Sequence, residues 1–169
     1  RFQARLDYAR KFGDHNVSGM LLFYLQNKVI SNQVPYRYMG FSGRATYDYR
    51  NKYLFEFNIG YNGSENFARG KRYGVFPAGA VGWVITQERF MRGVKWLDHL
   101  KLRASWGKAG NNQGIGNYAW QAVYATQNVV VDGSGSKGLY ISSLSNADLK
   151  WETTATTDIG LDMGFFDNR

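Results

Sequence analysis

The chain has 169 residues, of which 44% are hydrophobic and 17% aromatic, a formal net charge of +8 and no cysteine. No stretch approaches the ~20 consecutive apolar residues of a membrane helix. The missing cysteines exclude a disulfide framework, a redox dithiol and a Cys-based zinc site. The positive charge is spread along the chain, its longest cluster being Arg69-Gly70-Lys71-Arg72, and no nucleic-acid recognition motif accompanies it.

The first strand is predicted over Phe2 to Arg10, with Phe2, Ala4, Leu6 and Tyr8 on one face and Gln3, Arg5 and Asp7 on the other. Side chains of a strand point alternately to its two faces, so period two is the signal. A turn follows over residues 12–16. Val17 to Gln26 gathers Val17, Gly19, Leu21, Phe23 and Leu25 on one face, opposite the less polar set Ser18, Met20, Leu22 and Tyr24. Residues 28–36 read as a loop broken by Pro35.

Residues 37–63 carry the clearest pattern. Met39, Phe41, Gly43, Ala45, Tyr47 and Tyr49 alternate with Gly40, Ser42, Arg44, Thr46 and Asp48. After Arg50-Asn51-Lys52 the alternation resumes, with Tyr53, Phe55, Phe57, Ile59 and Tyr61 against Leu54, Glu56, Asn58, Gly60 and Asn62. Each run is as long as the ~9–11 residues a tilted strand needs to cross a bilayer.

A polar connection over 62–74 leads to a strand from Val75 to Ile85, with Val81, Trp83 and Ile85 outward and the small residues Ala78, Ala80 and Gly82 inward. Phe90, Val94 and Leu97 have helical spacing, predicting a short helix or turn over 86–98. His99 to Gly107 alternates again. A long Gly-, Asn- and Ser-rich connection runs from Lys108 to about Lys150, with short strands expected at 118–126 and 128–132. From Trp151 to Phe165 the odd residues Trp151, Thr153, Ala155, Thr157, Ile159, Leu161, Met163 and Phe165 share one face, and Glu152, Asp158 and Asp162 belong to the other. Asp167-Asn168-Arg169 looks like the start of a tight turn.

The connections alternate between short and long, as the periplasmic turns and extracellular loops of outer-membrane barrels do. Tyr8, Tyr47, Tyr49, Tyr53, Trp83 and Phe165 would gather at the short-turn rim, and Tyr38, Tyr61, Trp106 and Trp151 at the long-loop rim, where amphipathic rings favour the interface. Phe55 and Phe57 would face lipid between them. Arg5, Asp7, Arg44, Asp48, Glu56, Arg103, Glu152, Asp158 and Asp162 would line the interior, where a charge can be hydrated or paired. The expected fold is all-β, an antiparallel up-and-down transmembrane β-barrel segment of about seven strands. A soluble antiparallel sheet would have the same period, but the apolar faces carry bulky aromatics along most strands and no amphipathic helix or second sheet is evident to cover them.

No catalytic constellation stands out. His15 and His99 have no paired nucleophile in view, Gly107-Lys108-Ala109-Gly110 lacks the P-loop pattern, and Asp158 and Asp162 lack further metal ligands. The triplets Asn16-Val17-Ser18 and Asn62-Gly63-Ser64 match a glycosylation acceptor, which has no bearing on a bacterial barrel.

Three segments, NGSENFARGKRYGVFPAGAVGWVITQERFM (62–91), LKLRASWGKAGNN (100–112) and LKWETTATTDIGLDMGFFDNR (149–169), resemble the C-terminal barrel half of SusC/RagA-type TonB-dependent outer-membrane transporters. Residues 35–67 fit the same family. The resemblance implies a plugged barrel of ~22 strands, a bacterial outer-membrane location, a SusD-like surface lipoprotein partner, an oligosaccharide or peptide solute, and energy from the TonB complex acting through an N-terminal region. No cofactor is implied. Residues 1–169 would then be a partial C-terminal barrel domain, without plug or TonB box. A passive barrel or adhesin and a soluble carbohydrate-binding β-sandwich remain the alternatives.

Overall fold

The structure, a computed structural model, describes residues 1–29, 35–94, 96–116, 118–131 and 133–165. Seven strands form one antiparallel sheet: β1 (Phe2–Phe12), β2 (His15–Lys28), β3 (Tyr36–Tyr49), β4 (Tyr53–Ser64), β5 (Tyr73–Val84), β6 (Leu97–Asn111) and β9 (Glu152–Phe165). The spatial order is β1-β2-β3-β4-β5-β6-β9, so each strand pairs with its predecessor in the sheet, and the sheet is open at β1 and β9. The strands run 11 to 15 residues, enough for the ~9–11 that a bilayer crossing requires.

Strand positions follow the alternation, and the ends extend beyond it. β6 continues to Asn111 because Lys108 to Asn111 still pair with Glu152 to Ala155. The turn chemistry fixes the register. Gly13 takes φ 58° in the tight β1–β2 turn, and Arg50 and Asn51 take φ 56° and 54° between β3 and β4, a left-handed conformation that costs a non-glycine residue ~1–2 kcal/mol. Arg50 is held there by its backbone N–H on the Asp14 carbonyl (2.8 Å) and its guanidinium on the Asp14 carboxylate (2.6 Å).

The short helix or turn expected over 86–98 is present as two short 3₁₀ turns, Ile85–Gln87 and Arg89–Met91. Two expectations are revised. The long connection holds a separate hairpin of β7 (Val123–Val131) and β8 (Ser134–Ser143), not strands at 118–126 and 128–132; the chain reverses at Gly133, φ 74°, and runs straight through Gln127. Trp151, expected among the outward rim aromatics, is 8% exposed and packs inward. It precedes the first ladder pair of β9, Glu152 with Asn111, so the strand's alternation does not govern it. The turn expected at 167–169 lies outside the described residues.

Even positions of β1 and β6 and odd positions of β2 to β5 and β9 share one face, which carries most of the apolar residues. Leu6, Leu21, Phe57 and Ile159 there are 67%, 62%, 52% and 75% exposed, and among the described residues no helix or second sheet covers this face. Among the described residues the one buried hydrophobic cluster is small and lies at the long-loop end. It comprises Phe67, Phe76 and Trp151, flanked by Tyr38, Ile115 and Leu149.

Candidate functional site

The polar face carries charge in local pairs. Arg5 meets Asp7 two residues along β1 at 2.7 Å. Register sets Arg44 of β3 opposite Asn58 of β4, and its guanidinium reaches Glu56 at 2.8 Å while the Asn58 amide donates to the same carboxylate at 2.8 Å. Arg103 of β6 approaches Asp162 of β9 at 3.4 Å. Asp48 accepts from the Asn16 amide at 2.8 Å, and Glu152 accepts from Asn111 at 3.2 Å. Asp158 stands opposite Ser105. The expected interior charges thus spread over five strands, β1, β3, β4, β6 and β9, and do not converge on one point. Among the described residues no group of acidic or histidine side chains could hold a metal ion. Exposed pairs of this kind are worth ~0–1 kcal/mol each.

At the short-turn end one carboxylate joins two hairpins. Glu88, between β5 and β6, accepts from the Lys52 ammonium at 2.6 Å, the Tyr53 hydroxyl at 2.7 Å and the Trp83 indole N–H at 3.1 Å. Lys52 and Tyr53 hold the Glu88 carboxyl below the usual carboxylate range. The polar tips of two expected girdle aromatics, Tyr53 and Trp83, are therefore turned toward the rim. Tyr47 belongs to the same end, its hydroxyl 2.8 Å from His15 Nδ1. Tyr49 stacks parallel to Tyr53 at 6.5 Å, and Phe165 lies flat on Trp96 at 6.0 Å.

At the other end the long connections are stitched into a cap. Phe76 has the parity of the polar face, since it pairs with Gly60. Its ring meets Trp151 edge-on at 5.3 Å, and Trp151 also contacts Phe67 at 5.2 Å. The Trp151 indole N–H donates to the Arg72 carbonyl at 2.9 Å. The buried Ser64 hydroxyl joins Tyr36 Oη (2.9 Å) and the Asn112 amide (3.2 Å), and the Asn66 amide reaches the Ile115 carbonyl (3.3 Å). Lys71 pairs with Asp148, which it holds below its ordinary value. Burial, together with Glu65, pushes the Tyr118 phenol up. Phe67, Phe76, Ser64 and Asn66 went unread in the sequence. Phe67 had one available signal, a lone aromatic in a polar loop, and Phe76 another, a large apolar residue out of phase in its strand.

A cleft of ≈ 680 Å³ opens on the apolar face above Ala45, Gly79 and Ala104, between Tyr47, Phe57 and Trp106. A depression of ≈ 360 Å³ on the opposite side brings Asp48 and Glu56 near Lys101 and Arg103.

An open, twisted meander with aromatic ends, one uncovered apolar face and one charged face is a piece of β-barrel wall. All 169 residues match the family described as TonB dependent receptor-like, beta-barrel, and the chain belongs to that family. It is 32% identical to TonB-dependent receptor P3 of Formosa agariphila, covering 97% of this chain and 19% of that protein. It is 38% identical to TonB-dependent receptor SusC of Bacteroides thetaiotaomicron over 78% of this chain and 13% of that protein. The fold matches a chain in the structure of the RagAB peptide importer in its closed-closed state with a TM-score of 0.84, at 23% identity and covering 99% of this chain and 22% of the other. The chain thus spans less than a quarter of the length of these relatives.

Proposed function

We propose that residues 1–169 are a partial C-terminal barrel domain of a TonB-dependent transporter in a bacterial outer membrane. The transporter imports glycans or peptides together with a SusD-like surface lipoprotein. The observation that carries this reading is the family match over the whole chain, on a sheet whose apolar face is left uncovered. Acyl chains solvate that face, with Phe55, Phe57 and Tyr61 on β4 and Trp106 on β6 among the contacts, and Tyr47, Tyr49, Tyr53, Trp83 and Phe165 form the periplasmic girdle. The charge ladder from Arg5 and Asp7 through Arg44, Asp48, Glu56 and Arg103 to Glu152, Asp158 and Asp162 lines the interior. The long-loop end is extracellular, so the Phe67–Phe76–Trp151 cap lies at the mouth, where solute and lipoprotein arrive.

This wall does no chemistry. It supplies a hydrogen-bonded path through lipid, and every strand needs a neighbour because unpaired backbone groups in hydrocarbon cost several kcal/mol each. The test is uptake of labelled oligosaccharides and peptides by cells that carry the full-length gene, compared with cells lacking the gene or lacking TonB. Uptake lost in both deletions is the expected result. Uptake that persists without TonB refutes energised import.

A further inference from the structure

At the long-loop end of the apolar face, four strands share one rung: Leu25 pairs with Met39, Met39 with Gly63 and Gly63 with Tyr73. Gly63 has no side chain, and the Tyr73 ring lies where its Cβ would be. The Tyr73 hydroxyl reaches Met39 Sδ at 3.4 Å, and its ring stacks on Tyr61 at 5.1 Å. One rung further out the chemistry changes. Asn27 pairs with Arg37, the Glu65 backbone N–H donates to the Arg37 carbonyl while its carboxylate accepts from the Arg37 backbone N–H, and Arg72 stands beside them. Together these residues line a cleft of ≈ 470 Å³ with an apolar floor and a cationic rim.

Neither Arg37 nor Arg72 is in a salt bridge among the described residues. Arg72 spends one N–H on the Phe67 carbonyl at 3.3 Å. Glu65 is the one carboxylate in the lining, and its Oε2 already accepts from the Arg37 backbone N–H (3.0 Å) and the Tyr118 hydroxyl (3.3 Å). Two guanidinium groups against one carboxylate leave the rim net positive.

We infer that this cleft binds a phosphate-bearing lipid of the surrounding leaflet, its phosphate on Arg37 and Arg72 and its first acyl carbons on Leu25, Met39 and Tyr73. The inference rests on the membrane reading above. Guanidinium groups match phosphate oxygens in paired, planar hydrogen bonds. Cationic side chains at the edge of an acyl-facing surface select anionic headgroups, and tyrosine occupies the same level of the bilayer. A free phosphate would gain only the arginines; the apolar floor selects an amphiphile.

The experiment is native mass spectrometry of the full-length protein in detergent, titrated with dioleoylphosphatidylglycerol, with dioleoylglycerol and with inorganic phosphate. The variant is R37Q/R72Q, and the control R89Q/R92Q removes the same charge at the opposite end. Phosphatidylglycerol binds the wild type more tightly than dioleoylglycerol, and binds R37Q/R72Q about tenfold or more weakly, the loss of two surface cations beside a lipid phosphate. The control matches the wild type, and millimolar inorganic phosphate does not displace the lipid. Equal lipid affinity in wild type and R37Q/R72Q overturns the site, and displacement by inorganic phosphate reassigns it to a soluble anion, which overturns the lipid. Heat-modifiable gel migration reports the fold of each variant; should the double variant not fold, R37Q alone, on an exposed side chain, carries the comparison. A protein that stays monomeric in water after detergent removal would defeat the membrane reading itself, whereas variant-independent lipid binding by a detergent-dependent barrel defeats only this site.

Discussion

Placing an arginine at position 57 or at position 58 separates the two faces of the sheet with the same residue in the same strand. Phe57 is 52% exposed on the apolar face, between the small residues Ala45 and Gly79. It lies four residues into β4; at about 3.4 Å per residue and a tilt of about 40°, that is about 10 Å from the rim residue Tyr53, near the middle of an apolar band about 25 Å tall. No neighbouring side chain shields a charge there, so Phe57→Arg costs the midplane value of about 2–4 kcal/mol. Asn58 points to the other face, opposite Arg44, and donates to Glu56. Asn58→Arg gives up that bond and sets a second cation beside Arg44, but Glu56 offsets the repulsion and water is at hand. Its net cost is under about 1 kcal/mol. The assay is reversible denaturant unfolding of the full-length protein in phospholipid, followed by tryptophan fluorescence. The difference of about 2–3 kcal/mol corresponds to a ratio of about 30–150 in the folding equilibrium. Equal destabilisation by the two substitutions, or the larger loss at position 58, would refute the assignment of faces.

Trp151→Ala should open the cap and spare the wall. Removing the largest ring of a small core costs about 3–5 kcal/mol locally, read as faster hydrogen exchange over 64–72 and 112–115 with no change in exchange across β2–β4. Gly110→Ala should destabilise by about 1–3 kcal/mol, because a Cβ there would overlap the Phe76 ring; the double variant with Phe76→Leu should recover most of the loss in the same denaturant assay. For Glu88 the sign follows from its lowered folded value. The turn it anchors gains stability above the ordinary glutamate range and loses it as pH falls through the folded value. Exchange over 85–94 should therefore quicken on acidification below about pH 5, and Glu88→Gln should quicken it at neutral pH and flatten the acid response.

Period two and turn chemistry carried the strands and their order because one wall of alternating residues is local information. The pairing of Arg44 with Glu56, for example, follows once the turn at 50–52 sets the register. The cap was not legible. Ser64, Asn66 and Phe67 acquire partners only when three connections, distant in sequence, meet at one end. Trp151 misled because parity was carried one residue past the ladder that enforces it. The β7–β8 hairpin did have a signal in Asp132-Gly133, a dipeptide suited to a tight turn, which the expected strands at 118–126 and 128–132 did not use. Glu88 had none, since its three donors come from two different hairpins and the carboxylate itself sits in an irregular connection.

β6 and β9 are sheet neighbours from Leu97–Phe165 to Asn111–Glu152, although the chain leaves the wall between them to form the β7–β8 hairpin. The β7–β8 hairpin, Val123 to Ser143, can therefore be exchanged as a cassette. A graft that keeps Asn112, Ile115 and Tyr118 at one root and Asp148, Leu149 and Trp151 at the other preserves the seam and the cap. Sequence change in this hairpin and integrity of the scaffold are separable traits, free to diversify at different speeds.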